Sequence, residues 1–573
     1  MTRMLNVRQS TTAYAPVHYD SDSSPINNLT VVLTGTGTNG QLWQPDTVDD
    51  KRYGTYNYCN MPHVRAKEYQ VPKGFKLKYV EVIHRHHKRT PYGSNTFPKE
   101  AISWDCSDAL TNHGSSATSV PVTPVAWNAF VDQANPMTTT TNPGFVGSNC
   151  QFPQITSGGA QDSFTHGKDL ADVYQKKLRF IPNKYDDKLV SFRVTNNVIT
   201  SQVASALIPA MFHEFTRGND GRGIAAKIQS SSYDSLEPTY SCKAADNARS
   251  ANEGSNPNWQ ASLSQTKDLY ARLDSVSGVS PGDGGWHANI DHYFDNLSSK
   301  RCHSKPLPCS ITSPDQCVSE ADADTVFRLG QWMYAYRFRS SAQATTYATL
   351  RHSAFMLELK SHLDSKMAGQ DQMLYRHNVA HDGSMSALLG LLQIEEMVWP
   401  GMGAEIVFEL YQQTMASKKP GQSGNKGDWF LRVLWGGRPL KTATPLGTLD
   451  MISVKAFYDG KAIGAAGALA LGGALLYSRR DDKPRRPVDS FGMNHAGATT
   501  ALPKGSKSAS NQDAMPAQSV VNEGRSSAED ARGVADKLKG ASSSAKQKFE
   551  EGVGKTREGV NAVGGKSSTA ARG

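Results

Sequence analysis

The chain is predicted to fold as an α/β three-layer sandwich with a central mixed sheet and an inserted helical cap. Three observations carry this. Apolar runs of strand type end in a polar corner at three places, "YVEVIHRHHKRTPYGS", "KLVSFRVTNNVITSQVASALIPAMF" and "MLYRHNVAHDGSMSALLGLLQ". In the last two a helical spacing follows the corner directly, and strands alternating with helices define a layered α/β core. Between the second and third units lie about 150 residues of helical periodicity, which interrupt the core as a cap.

The elements follow in order. Residues 1–70, rich in Thr, Asn, Asp, Gly and Pro, read as an irregular lead-in with one short strand at Leu29–Leu33. The first segment of the core spans 71–215. It holds a strand at Lys76–Ile83, a second around Leu189, Val190 and Phe192, and a helix from Ile199 through Val203, Leu207 and Met211. The cap spans 216–370, with helical patterns at Asn258–Leu273, Ala323–Phe338 and Thr346–Met367. The core resumes over 371–458, with strands at Leu374–Val379, Glu405–Leu410 and Trp429–Leu434 and a helix at Met385–Leu392.

Residues 459–480 contain the uncharged run Ala462–Tyr477, flanked by Lys461 and by Arg479, Arg480, Lys483, Arg485 and Arg486. It reads as a membrane span with a cytosolic tail, as a Gly/Ala-rich linker or as a small buried helix. Residues 481–573 read as a disordered basic tail. A weak amphipathic helix there runs from Val534 through Leu538, Ala545, Phe549 and Val553 to Val560.

Composition is that of an ordinary globular protein, 38% hydrophobic and 20% charged. Roughly two-thirds of the net charge of +9 falls from Arg479 onward, so the body is only mildly basic and nucleic acid is not an expected partner. The seven cysteines form no CxxC pair and no zinc-site spacing. A Cys309–Cys317 disulfide and scattered free thiols stand as alternatives. The sequons Asn28-Leu-Thr and Asn296-Leu-Ser lean toward an oxidising compartment. "MTRMLNVRQSTTAYAPVHYD" shows no apolar signal region. The open alternatives are a membrane-tethered extracytoplasmic body, a secreted protein or a cytoplasmic one.

The polar corners carry the chemistry. Each ends a strand, and in open α/β sheets that edge binds ligands. Together they supply Arg85, His86 and Arg89, then Arg193, then His381 and Asp382. Guanidinium forks match phosphate oxygens, neutral imidazole attacks phosphorus, and a protonated carboxyl can donate to a leaving oxygen. A metal held by His84, His86 and His87 is disfavoured, because adjacent histidines on a turn seldom converge on one ion. His84 and Lys88 are expected to flank the pocket and hint at a substrate with more than one phosphate.

"RHHKRTP" at Arg85–Pro91 resembles the R-H-G-x-R-x-P signature of the histidine acid phosphatases, as found in fungal acid phosphatases and phytases. "FRVTNNVITSQVASAL" resembles that family's middle motif, "AHDGSMSALLGLL" its H-D motif, and "WFLRVLWGGRPL…TPLGTLDMISVKAF" its closing segment. The resemblance implies an acid phosphatase acting on a small phosphorylated substrate. His86 matches the phosphohistidine nucleophile, Asp382 the general acid, and Arg85, Arg89, Arg193 and His381 the phosphate-binding groups. It implies no metal and no cofactor. The departures are His87 in place of the signature Gly, Ala380 in place of the Gly before H-D, and Ile199 where many members carry a second Arg. These motivate two alternatives, a degraded phosphatase fold that binds a phosphorylated ligand and a membrane-tethered scaffold.

Overall fold

Strand β1 (Phe75–Arg85) lies at the heart of the architecture in the computed structural model. The structure describes residues 18–21, 25–38, 58–109, 111–112, 126–127, 147–212, 224–414 and 427–459. β1 is buried along most of its length because it has a strand on each side and a helical layer on each face. Its parallel neighbour is β4 (Tyr375–Ala380), followed by β2 (Val190–Val194) and β3 (Ala226–Lys227). On its other side runs the antiparallel series β5 (Glu405–Gln413), β6 (Trp429–Trp435) and β8 (Ile452–Ser453), with β7 (Arg438–Pro439) pairing β6. The result is one 8-stranded mixed sheet.

Alternation along the strands sorts side chains into two layers. Val80, Val82, Phe192, Tyr375 and Val407 pack against helices α2 (Ser157–Ala171) and α3 (Val198–Met211) through Leu170, Leu207 and Met211. Tyr79, Ile83, Ile406 and Phe408 join a second apolar cluster on the opposite face. That cluster runs on through α10 (Asp382–Leu391) into the helical segment between β3 and β4. This segment contains α4 (Lys243–Asn252), α5 (Pro257–Gln265), α6 (Lys267–Ser277), α7 (Asp291–Cys302), α8 (Glu320–Ala335) and α9 (Ala344–Met367). Phe327 and Leu359 there share one cluster with the sheet residues, each such burial stabilising by about 1.5–3 kcal/mol.

Local chemistry sets the helix ends. Thr156 caps α2 by accepting from Gly159 N–H, Asn197 caps α3 and Ser319 caps α8. The single helical stretch expected over Asn258–Leu273 is two helices that meet at Thr266. The Thr266 hydroxyl donates back to the Ser262 carbonyl, and the backbone there leaves helical geometry.

Leu29–Leu33 forms a helix, α1 (Leu29–Thr34), where a strand was expected. Asn28 caps it from outside, Val32 is buried, and Arg328 of α8 donates to the Val32 carbonyl. Packing thus overrides β-branched propensity. Asn28 in that cap belongs to one sequon. The other sequon's Asn296 has no exposed surface and donates to the Asn95 carbonyl, so that folded site is closed to a glycan.

Three disulfides form: Cys59–Cys302, Cys106–Cys150 and Cys309–Cys317, with Cys242 left as a buried thiol. The local pair matches the expected one; the other two join distant segments. Among the described residues no helix is long and apolar enough to cross a membrane. Ala462–Tyr477, the expected tail disorder and the weak helix from Val534 to Val560 lie outside the described residues.

Candidate active site

Parallel register builds the site. Arg85 is opposite Ala380 and Val194 opposite Val379, so the residues just past the three strand ends sit side by side. These are His86, His381 and Thr195. His86 N–H donates to the Ala380 carbonyl at 3.0 Å, which fixes the turn. The rings of His86 and His381 then face each other edge to face, 5.5 Å between centroids.

His86 is 2% exposed. Its Nδ1 lies 3.0 Å from the His87 carbonyl oxygen, and a carbonyl can only accept, so Nδ1 carries the proton. Nε2 is left with a lone pair, and the Arg89 Nε–H points at it from 3.5 Å. Burial first, then Arg89, Arg85 and His381, hold the His86 pKa well below the ordinary value. The imidazole is therefore neutral and presents a nucleophilic nitrogen.

Two guanidiniums flank it. Arg85 donates to the Pro400 carbonyl at 2.6 Å and to Asp382 Oδ2 at 2.9 Å. Arg89 lies over the Tyr92 ring, donates to the Thr90 carbonyl and pairs with Asp295 at 2.9 Å. Asp295 is clamped further by Asn95 and the Tyr92 N–H. Burial raises its pKa, but Arg89 and these hydrogen bonds outweigh that and hold the carboxyl below its usual range.

His381 occupies the N-cap position of α10 without a side-chain capping bond, and Asp382, its first residue, accepts at Oδ1 from the Gly383 N–H. His381 Nε2 is 2.8 Å from the Thr195 hydroxyl and 3.3 Å from Glu237. Asp382 accepts at Oδ2 from the Trp399 indole N–H as well as from Arg85. Trp399 is itself sandwiched between Phe294 at 3.7 Å and Tyr334 at 3.9 Å. Asp291, at the start of α7, completes the acidic surroundings. Burial is the main cause that pushes its pKa up to about 7, with Asp382 and Asp295 adding to the rise.

Arg193 stands apart from this group. Its register partner is Asn378, so it sits below the strand ends. Its guanidinium is engaged by Asp234 and Glu358, each at 2.8 Å, and by Gln229 and Ser235. Ile199 is fully buried in an apolar cluster with Tyr92, Ile155 and Val203. From the middle motif it is Thr195 that reaches His381. His84 and Lys88 were expected beside the pocket. His84 has no exposed surface and lies behind the turn, and Lys88 pairs with Asp162 at 2.9 Å.

Sequence reading missed Thr195, Tyr92, Asp295 and Trp399. Thr195 lies within the middle motif, and only the three-strand register could have singled it out. Tyr92 follows the RHHKRTP motif directly, but an aromatic there carries no signature of its own, and Asp295 and Trp399 come from segments with no motif spacing to mark them.

A family model described as histidine phosphatase superfamily (branch 2) matches residues 76–434. Counting factor 60 of Dictyostelium discoideum is 24% identical over 377 residues, covering 64% of this chain and 81% of its own length. 2-Phosphoxylose phosphatase 1 of Homo sapiens is 23% identical over 405 residues, covering 68% and 77%. Lysophosphatidic acid phosphatase type 6 of Bos taurus is 21% identical over 372 residues, covering 63% and 78%. Among solved structures, the phytase of Klebsiella sp ASR1 aligns with a TM-score of 0.41 and 14% identity, covering 70% of this chain and 95% of its own.

Proposed function

We propose that this chain, which belongs to the histidine phosphatase superfamily (branch 2), hydrolyses phosphate monoesters through a phosphohistidine on His86. The observation that carries the reading is the bond from His86 Nδ1 to the His87 carbonyl, which leaves the Nε2 lone pair beside Arg89. That lone pair attacks phosphorus as the P–O ester bond breaks. The departing oxygen takes the proton of Asp382. Arg85 and Arg89 neutralise the phosphoryl oxygens, and the His87 carbonyl offsets the positive charge of the phosphorylated ring. Water then attacks phosphorus, the Asp382 carboxylate accepts its proton, and the P–N bond breaks to restore His86.

His381, held by Thr195, is assigned as a donor to the phosphoryl group. Arg193, expected in the same clamp, has two carboxylates on its guanidinium, and this supports a structural role for it. 2-Phosphoxylose phosphatase and lysophosphatidic acid phosphatase are named for monoesters of small molecules, and this chain is read as acting on that class. The acidic neighbours Asp291 and Glu237, with Lys88 already paired, favour a substrate with a single phosphate over a polyphosphate.

Phosphate release from p-nitrophenyl phosphate in mild acid, without added metal, tests the reading. The native chain should turn over and His86→Ala should not. A sugar monophosphate should be a better substrate than inositol hexakisphosphate. Equal turnover by the His86→Ala chain contradicts the assignment, and saturable binding of phosphate esters without any release would favour a binding module.

A further inference from the structure

Behind the catalytic turn, on the side of the sheet covered by α2, lies a nest of buried imidazoles. His84 of β1, His87 of the turn and His166 of α2 have no exposed surface. One nitrogen from each lies within 4.8 Å of the other two. Their outward nitrogens explain which atoms these are. His84 Nδ1 donates to the Arg85 carbonyl at 2.8 Å, and His166 Nε2 donates to Glu405 at 2.8 Å. In neutral rings this leaves His84 Nε2 and His166 Nδ1 as lone pairs aimed inward.

We propose that His84, His87 and His166 bind one divalent transition-metal ion that favours imidazole, Zn2+ foremost, as a structural site behind the His86 turn. Three features support it. First, His84 Nε2 is buried with no hydrogen-bond partner among the described residues, as is Nε2 of the adjoining His377, whose ring centroid is 4.8 Å from that of His84. An orphaned buried polar atom is costly, and a cation satisfies a lone pair.

Second, His87 Nε2 and His166 Nδ1 are 3.1 Å apart. Two nitrogens on a tetrahedral Zn2+ with ordinary Zn–N bonds are separated by about 3.3 Å. Third, the carbonyl on His84 and the carboxylate on His166 are the outer partners that orient metal-binding imidazoles. The fourth position falls to a water, since the group of mutually close nitrogens is His84, His87 and His166. A ligand set of imidazoles without thiolate suits Zn2+, Cu2+, Ni2+ or Fe2+ and excludes Ca2+ and Mg2+.

Geometry therefore revises the reading of "HRHHKR". The metal considered from sequence joined His84, His86 and His87. In the folded chain His86 turns to the cleft and His166 takes its place. His87, the departure from the signature Gly, acquires a purpose. The ion would tie β1, the turn and α2 together, two residues from the nucleophile on one side and one on the other. The site is independent of the phosphatase reading, since neither His86 nor Asp382 belongs to it.

The test uses the full chain, expressed in metal-replete medium and purified without affinity metals. Elemental analysis should find about one transition-metal ion per chain. Removing it with a chelator should lower the thermal midpoint, and Zn2+ alone should restore it. Co2+ added to the stripped chain should give the visible bands of a tetrahedral, nitrogen-ligated ion. His87→Gly, which keeps a residue suited to the turn, should abolish those bands while circular dichroism stays native. His166→Gln provides a second variant if the first fails to fold. Less than about a tenth of an equivalent of metal, with no response to Zn2+ or Co2+, would overturn the site and leave a hydrogen-bonded imidazole cluster closed by water. Bands that persist in both variants would equally overturn it, by placing the ion elsewhere.

Discussion

At the scale of single residues, Asp382 and the arginines yield the sharpest expectations. Asp382→Asn keeps the contacts to Arg85 and Trp399 but removes the transferable proton. In single-turnover phosphorylation the loss should be much larger for an alkyl phosphate than for p-nitrophenyl phosphate, whose leaving group needs no proton. Equal losses would reduce Asp382 to shaping the pocket. Arg89→Ala should cost about 2–5 kcal/mol in both turnover and vanadate binding, since it leaves the phosphoryl charge and Asp295 uncompensated. Arg193→Ala should instead lower the thermal midpoint through unpaired Asp234 while leaving vanadate affinity within a few-fold. Comparable loss of vanadate affinity in both variants would put Arg193 back in the clamp. His86, Arg85 and Arg89 were legible because one short turn carries them. Thr195 was not, because its role depends on β2 lying beside β4, which no local spacing encodes.

Among the elements, α7 links the cap to the chemistry. Its first residue is Asp291 and one turn on is Asp295, both turned toward the arginines and Asp382. Asp291 has a folded pKa raised to about 7 from an ordinary 3.8. The folded state therefore binds more protons than the unfolded state between those values, and stability falls as pH rises through that window. Asp291→Asn should be more stable than the native chain above pH 7, by on the order of 2 kcal/mol, about half the full linkage value because Asp291 is partly exposed, and no more stable below pH 4. A variant that is no more stable than native at pH 8 would show that Asp291 is well solvated. Asp295 has the opposite sign, contributing stability above its unfolded pKa that is lost only in stronger acid. Gly403 shows a second constraint at this scale. Its φ is +70°, and a Cβ there would meet His87 Cε1 at 2.6 Å, so the turn after β1 and the loop before β5 are fitted to each other. Strand periodicity foretold β1, β2, β4, β5 and β6. It misread α1, where burial against α8 outweighed a β-branched run.

For the whole molecule, long-range covalent links matter most and were least legible. Cysteine spacing suggested a bond only where Cys309 and Cys317 are close in sequence. Cys59–Cys302 spans 243 residues and ties the segment before β1 to the end of α7. Loop-closure entropy over that length gives about 5 kcal/mol, so replacing the pair by serine should lower the thermal midpoint sharply and weaken Arg89 positioning through α7. An unchanged midpoint would show that apolar packing alone holds α7. The sandwich itself was readable because a near-continuous apolar run must bury on both faces of a central strand.

The central claim is a covalent intermediate on one named nitrogen. The full chain should be mixed with substrate in a rapid-quench apparatus, stopped in alkaline denaturant that preserves a P–N bond, and digested for mass spectrometry. Phosphate on Nε2 of His86 in the native chain, formed faster than turnover and absent from His86→Ala, is the expected result. Release of phosphate with no label on any histidine, or label on His381 or His87 instead, would contradict the account.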